Sequence, residues 1–306
     1  MYFNTEKENC QETINKIILA IQEKKIIQAQ EAQDVVKSLK LCNHFTTLKA
    51  ERIMNCGSFI ALNHDGKITA ANFCKNKLCP VCQWRNSRKQ FGKIFELQKA
   101  IENDTKEFEY IFATFTIENM KSLSEGVQAV LKGFNNLTHD RTFRKLNKGF
   151  IRTLEITYKQ KKDEWHPHIH TIIAVPPDYF ENENYYLTQK EWSSLWKRAA
   201  RIEYMPIVDV RKVSENRALA IAEIAKYAVK PFDVQSAKAN KIKVYAELMK
   251  STYNRRLRSL SGIYKSKAKE LNIDIENDTE FKEFSPNDKI YQFINNKYTE
   301  VNKYED

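Results

Sequence analysis

Glu164-Trp165-His166-Pro167-His168-Ile169-His170-Thr171-Ile172-Ile173-Ala174-Val175 holds three of the chain's six histidines, followed by the β-branched run Thr171, Ile172, Ile173. The spacing of two and the β-branched residues predict a strand. Side chains at i, i+2 and i+4 of a strand share one face, so three imidazoles point the same way. Imidazole is the commonest metal ligand among side chains. Two of them two residues apart on a rigid strand grip one ion without ordering a loop. Pro167 stands at the beginning of the strand, where proline is tolerated.

Working outward, residues 150–158 form a second predicted strand, and the charged residues 159–164 a hairpin loop. If Tyr158 pairs with Trp165 as an aromatic cross-strand pair, Glu155 falls opposite His168 and shares its face. A slip of one residue would carry Glu155 to the other face. The expected metal set is therefore His168 and His170, completed by Glu155 or by His166. Residues 109–116 read as a buried strand from their continuous apolar run, and residues 122–139 as an amphipathic helix. Thr188 caps a helix over 189–201, and 206–211 is a further strand. Ser214 caps a helix over 215–230, with Ile221, Ile224, Ala225 and Ala228 inward. Glu223, Lys226, Tyr227 and Lys230 line its opposite polar face at i, i+3, i+4 and i+7.

On the N-terminal side, Cys56, Cys74, Cys79 and Cys82 follow the pattern C-x17-C-x4-C-x2-C. The C-x2-C pair supplies two thiolates from one tight turn, and the other two close a tetrahedron that suits structural Zn²⁺. His44 is an alternative to one of the cysteines, and Cys10 and Cys42 are left over as ordinary buried residues. Between Cys56 and Cys74, Asp65-Gly66 signals a hairpin turn. Pro80 opens a helix to about residue 101, with Arg85, Arg88 and Lys89 grouped at helical spacing as candidate phosphate contacts. Residues 1–50 read as a peripheral helical segment, with Ile14, Ile17, Ile18 and Ile21 at helical spacing. Residues 235–272 read as basic and helical, including Arg255, Arg256 and Arg258. The acidic and aromatic tail from 272 is expected to be partly disordered.

The chain has 306 residues, 42% of them hydrophobic, and a formal charge of +11. That surplus favours a polyanion, nucleic acid first. No apolar run is long enough to span a membrane, and the first residues lack the apolar core of a secretory signal. Six cysteines without such a signal favour metal ligation over disulfides. The localisation read from this is cytoplasmic. The chain carries no G-x-x-x-x-G-K-[ST], so it has no P-loop ATPase of its own. It carries no H-E-x-x-H, which excludes a metalloprotease of that type.

Three segments occur in order: Phe112-Ala-Thr-Phe-Thr116, His166-Pro-His-Ile-His170 and Glu223-Ile-Ala-Lys-Tyr-Ala-Val-Lys230. They resemble the three motifs of plasmid rolling-circle replication initiators, the Rep proteins of the HUH endonuclease superfamily. The segment from Phe73 to Arg85 is similar to the cysteine segment of the same subgroup, as is Ser261-Gly-Ile-Tyr264 to a later one. The resemblance covers roughly residues 50–272. Phe115 stands where a leucine is more usual, and Pro231-Phe232 follow the third motif; neither departure removes a reactive group. The resemblance implies an α+β fold, a central antiparallel sheet flanked by helices (the HUH nicking domain). A small Cys-rich zinc module and helical N- and C-terminal segments would accompany it, with boundaries near residues 50, 104 and 234. It implies Mg²⁺ or Mn²⁺ at the histidines, Tyr227 as a nucleophile forming a 5′-phosphotyrosine, and Glu223 as a general base for a terminating cleavage. Lys226 and Lys230 would assist the phenol or bind neighbouring phosphates. The partners implied are single-stranded and origin DNA in a bacterial cell, with a plasmid or phage as the encoding element and a homodimer as a candidate assembly. The alternatives are an HUH transposase or relaxase, and a non-enzymatic zinc-stabilised DNA-binding protein.

Overall fold

The computed structural model describes residues 10–104, 107–213, 217–225, 241–275, 285 and 287–301. Lys226, Tyr227 and Lys230 lie outside the described residues. The chain is α+β, and it forms two compact units, residues 1–86 with 278–306, and residues 87–277. This grouping differs from the four consecutive segments drawn from the sequence.

The first unit holds helices α1 (Cys10–Leu41) and α2 (Thr47–Met54), strands β1 (Phe59–Leu62) and β2 (Ile68–Ala71), and the start of α3 (Pro80–Asp104). At the Asp65-Gly66 turn, Asn63 Oδ1 accepts from the backbone N–H groups of Asp65 and Lys67, and Gly66 takes φ +74°. The tail is not structureless. Strands β8 (Lys289–Ile294) and β9 (Lys297–Val301) form a hairpin, and β8 pairs with β1 to give the sheet order β2-β1-β8-β9. Ile14 and Ile21 of the periodic stripe on α1 are buried against Cys56, Ile60, Leu62, Val81, Tyr291 and Tyr298.

The second unit is built on a five-stranded antiparallel sheet, order β6-β3-β5-β4-β7. Its strands are β3 (Glu109–Thr116), β4 (Gly149–Lys159), β5 (Glu164–Val175), β6 (Val208–Lys212) and β7 (Arg258–Leu260). Helices cover both faces. On one lie α4 (Leu123–His139), α5 (Arg141–Leu146) and α6 (Gln189–Ala200), where Phe134, Phe143, Trp192 and Trp196 surround Phe115 and one another. Thr188 and Glu191 form a reciprocal capping box at the start of α6. On the other face, Ile94, Leu97 and Ile101 of α3, Ile221 and Ile224 of α7 (Arg217–Ala225), and Tyr264 of a later helix pack on Phe112, Ile151 and Ile172.

The basic stretch 235–272 is not one helical segment. It contains α8 (Lys241–Thr252), the edge strand β7 and α9 (Gly262–Glu270). Arg258 is therefore a strand residue, paired with Thr153. A three-residue strand in a charged stretch has no periodicity of its own; pairing with β4 makes it.

Gly262 opens α9 at φ +52°, and a Cβ there would overlap the carbonyl oxygen of Lys148. The same carbonyl accepts from Ile263 N–H, so the backbones cannot separate without breaking this junction. We predict that Gly262→Ala lowers stability by about 2–3 kcal/mol through overlap and left-handed backbone strain. Denaturant unfolding measures this; a variant as stable as the wild type contradicts the close approach.

Candidate metal centres

Strands β4 and β5 pair with Tyr158 opposite Trp165 and Glu155 opposite His168, the register expected from the sequence. The rings of Tyr158 and Trp165 lie 4.7 Å apart between centroids. Below them, Glu155, His168 and His170 converge, their ligand atoms all within 4.8 Å of one another. His170 Nε2 lies 3.1 Å from Glu155 Oε2, and His168 Nε2 lies 3.8 Å from Glu155 Oε1. Glu155 is 2% exposed and His168 7%.

The imidazoles are held from behind. His168 Nδ1 is 3.1 Å from the carbonyl oxygen of His166. A carbonyl only accepts, so Nδ1 carries the proton and Nε2 presents its lone pair towards Glu155 and His170. His170 Nδ1 meets Thr114 Oγ1 at 3.0 Å, and its ring stacks on Phe112 at 5.6 Å. The rings of His168 and His170 stand perpendicular, at 89°. Burial, with His170 adding to it, pushes the His168 pKa down to about 4 against the opposing pull of Glu155. His168 is thus neutral at physiological pH, the state a ligand needs. Two imidazoles with outer partners and one buried carboxylate are a donor set that fits a divalent ion.

His166 is not part of this group. It shares the face, its ring 5.2 Å from that of His168, but it pairs with Thr157. Same-face neighbours on a strand are roughly 6.6 Å apart. The ligand atoms that converge with Glu155 are those of His168 and His170.

The third motif approaches the same end of the sheet. Thr153 pairs with His170 and lies two residues before Glu155 on one face of β4. Its hydroxyl donates to the carbonyl of Ile224 at 2.8 Å. Arg258 Nη2 donates to the carbonyl of Ala225 at 3.1 Å; burial lowers its pKa to about 10, which leaves it charged at neutral pH. Two consecutive carbonyls at the end of the described helix α7 are thus gripped from β4 and β7. Glu223 is half-buried on the same helix. Sequence reading missed both Thr153 and Arg258. Only the pairing of β7 with β4 identifies them.

In the first unit, Cys56, Cys74, Cys79 and Cys82 come together, their sulfurs all within 4.8 Å of one another. Three of the separations are 3.5, 3.5 and 3.6 Å. These far exceed a disulfide bond and match the roughly 3.8 Å edge of a tetrahedron with metal–sulfur bonds of 2.3 Å. Backbone N–H groups of Cys74 and Asn76 point at the sulfurs of Cys56 and Cys74. His44 is not in the group. Hydrogen bonding from the other three cysteines pulls the Cys56 thiol pKa down. Arg85 lies over the Phe73 ring at 4.9 Å, and Arg88 is exposed.

The family described as "Replication protein" matches residues 65–305. The chain belongs to this Rep family of replication proteins. The match begins after Cys56 and after all of α1. Among relatives, "Protein rep" of Streptococcus pneumoniae serotype 2 is 32% identical over 258 residues, 78% of this chain and 79% of that protein. "Protein rep" of Staphylococcus aureus is 32% identical over 243 residues, 76% and 96% of the two chains. That of Bacillus amyloliquefaciens is 33% identical over 254 residues, 74% of each. No solved structure matches. The family found is the one that the motifs resemble. Among the described residues, no helix of this replication protein is long and apolar enough to cross a membrane.

The His168 geometry sets an expectation for the metal-free protein. Long-range ¹H–¹⁵N NMR should show the Nδ1–H tautomer and a titration midpoint near pH 4. A midpoint near the ordinary 6.5 would contradict the buried, carbonyl-fixed imidazole.

Proposed function

We propose that the chain is a rolling-circle replication initiator that nicks single-stranded DNA at a plasmid or phage origin and rejoins it through Tyr227. The observation that carries this reading is the joint placement of two motifs. Glu155, His168 and His170 converge on the sheet. Helix α7 is gripped at Ile224 and Ala225 beside them, by Thr153 opposite His170 and by Arg258. Tyr227 follows Ala225 by two residues, at most about 7 Å of chain.

On this reading the five-stranded sheet is the nicking domain of an HUH endonuclease. A divalent ion held by Glu155, His168 and His170 supplies Lewis-acid polarisation of the scissile phosphate. Nitrogen donors favour Mn²⁺ over Mg²⁺, which prefers oxygen. The protein residues do the rest. Glu155 and the two imidazoles would fix where the phosphate sits, and the grip on α7 holds the described residues that lead to Tyr227 in sequence. The Tyr227 oxygen attacks phosphorus and the P–O3′ bond breaks, leaving a 5′-phosphotyrosine and a free 3′-OH as primer. Lys226 and Lys230 lower the cost of the phenolate or bind flanking phosphates. Glu223, four residues before Tyr227 in the sequence, serves as base for water in the terminating cleavage. Arg85 and Arg88 contact DNA phosphates. The cysteine cluster holds structural Zn²⁺. A helicase and a polymerase of the bacterial host complete the replication machinery in the cytoplasm, and a homodimer is the candidate assembly on the origin.

The test is incubation with Mn²⁺ and labelled single-stranded origin DNA. We predict a covalent adduct on Tyr227 that EDTA, Tyr227→Phe and Glu155→Ala each abolish, while Glu155→Ala still binds DNA. DNA binding without cleavage under either Mg²⁺ or Mn²⁺ would favour a non-enzymatic DNA-binding protein.

A further inference from the structure

The N-terminal helix brings a buried lysine to the residue that follows Cys56. Lys25 of α1 is only 4% exposed. Its Nζ donates to Gln28 Oε1 at 2.7 Å and lies 5.5 Å from the centre of the Phe293 ring. Gln28 is fixed in this orientation because its Nε2 donates to the carbonyl of Ile53. The Lys25 stem passes the residue after Cys56: a Cβ on Gly57 would sit 3.8 Å from Lys25 Cδ.

An amide oxygen and an aromatic face solvate an ammonium group but do not neutralise it. Among the described residues, no carboxylate pairs with Lys25. Burial disfavours its charged form, and the neighbouring Cys56, Cys79 and Cys74 act in the opposite direction. The cluster has the complementary need. Four thiolates around Zn²⁺ leave a net charge of −2, and such charge is costly to bury unless it is balanced. The two backbone N–H groups at Cys74 and Asn76 supply only partial charges.

We propose that Lys25 is the charge-balancing partner of the Cys56–Cys74–Cys79–Cys82 centre, and that its ammonium group, seated between Gln28 and Phe293, raises the affinity of that centre for zinc. This rests on the zinc reading given above. It assigns α1 a role: the helix lies outside the family match yet belongs to the metal unit, on which it places a cation.

The experiment measures zinc content and zinc transfer to a chromogenic chelator for the full chain. Thiolate-to-cobalt charge-transfer bands of the Co²⁺-substituted protein provide a second readout. Outer-shell partners of metal sites are typically worth about 10- to 100-fold in affinity. Lys25→Met, which keeps the stem and removes the charge, is expected to weaken zinc retention by that factor and shift the cobalt band. Lys25→Arg is expected to retain zinc within about threefold. If Lys25→Met does not fold, Lys25→Gln, with a polar head for Gln28, carries the same expectation. Neutral variants that hold zinc as tightly as the wild type would overturn the proposal. Equal losses in Lys25→Arg and the neutral variants would also overturn it, showing that packing rather than charge matters. Wild-type protein without zinc would instead overturn the zinc reading itself.

Discussion

Glu155 stands opposite His168, and the second unit of this protein is organised around that pairing. A carboxylate and two imidazoles meet only because the hairpin of β4 and β5 is held in one register. The aromatic pair of Tyr158 and Trp165 sets that register near the turn, and the apolar residues on both faces of the sheet enforce it further along. A slip of one residue would send Glu155 to the face that packs α4 and α6, at the cost of burying an unpaired carboxylate in an apolar layer. The same face of β4 carries Thr153, which receives the end of α7. One strand therefore positions both a ligand and the helix that leads to Tyr227.

The first unit depends on a different constraint. Its sheet is small and is assembled from sequence-distant pieces, with β1 paired to β8 from the tail. The cysteines, α1 and the C-terminal hairpin share one core, and Tyr298 donates its hydroxyl to Gly57 beside Cys56. A metal at the cysteines would stabilise this unit by closing the loop between Cys56 and Cys82.

What the sequence made legible was local. The hairpin of β4 and β5 has a short polar turn, alternating residues and an aromatic pair, so register and the Glu155–His168 juxtaposition follow from one stretch. The cysteine spacing, the Thr188 cap and the run of β3 are likewise carried by neighbours in the chain. What could not be read depends on distant partners. Strand β7 exists because β4 offers an edge, so Arg258 looked like one more charge in a basic helix. The strands of the tail could not be read from its sequence because they gain their core from β1. Nothing in the local sequence marks Lys25 as buried, since Gln28 and Phe293 are only joined around it by the fold. His166 was indistinguishable from its neighbours by strand alternation, and Glu155, opposite His168, stands equally far along the strand from His166 and His170; only the side-chain geometry, with His170 Nε2 3.1 Å from Glu155, sets His166 apart. Tyr227 lies outside the described residues, so its part rests on the motif and on the grip at Ala225.

The central claim is that β4 and β5 build a divalent-metal centre from Glu155, His168 and His170. The most direct measurement is a crystal structure of the protein grown with Mn²⁺, with anomalous diffraction recorded at the manganese edge. The account predicts one peak bonded to His168 Nε2, His170 Nε2 and a Glu155 oxygen, with His166 outside the coordination sphere. A peak ligated by His166 without Glu155, or no peak at this hairpin under saturating Mn²⁺, would contradict it.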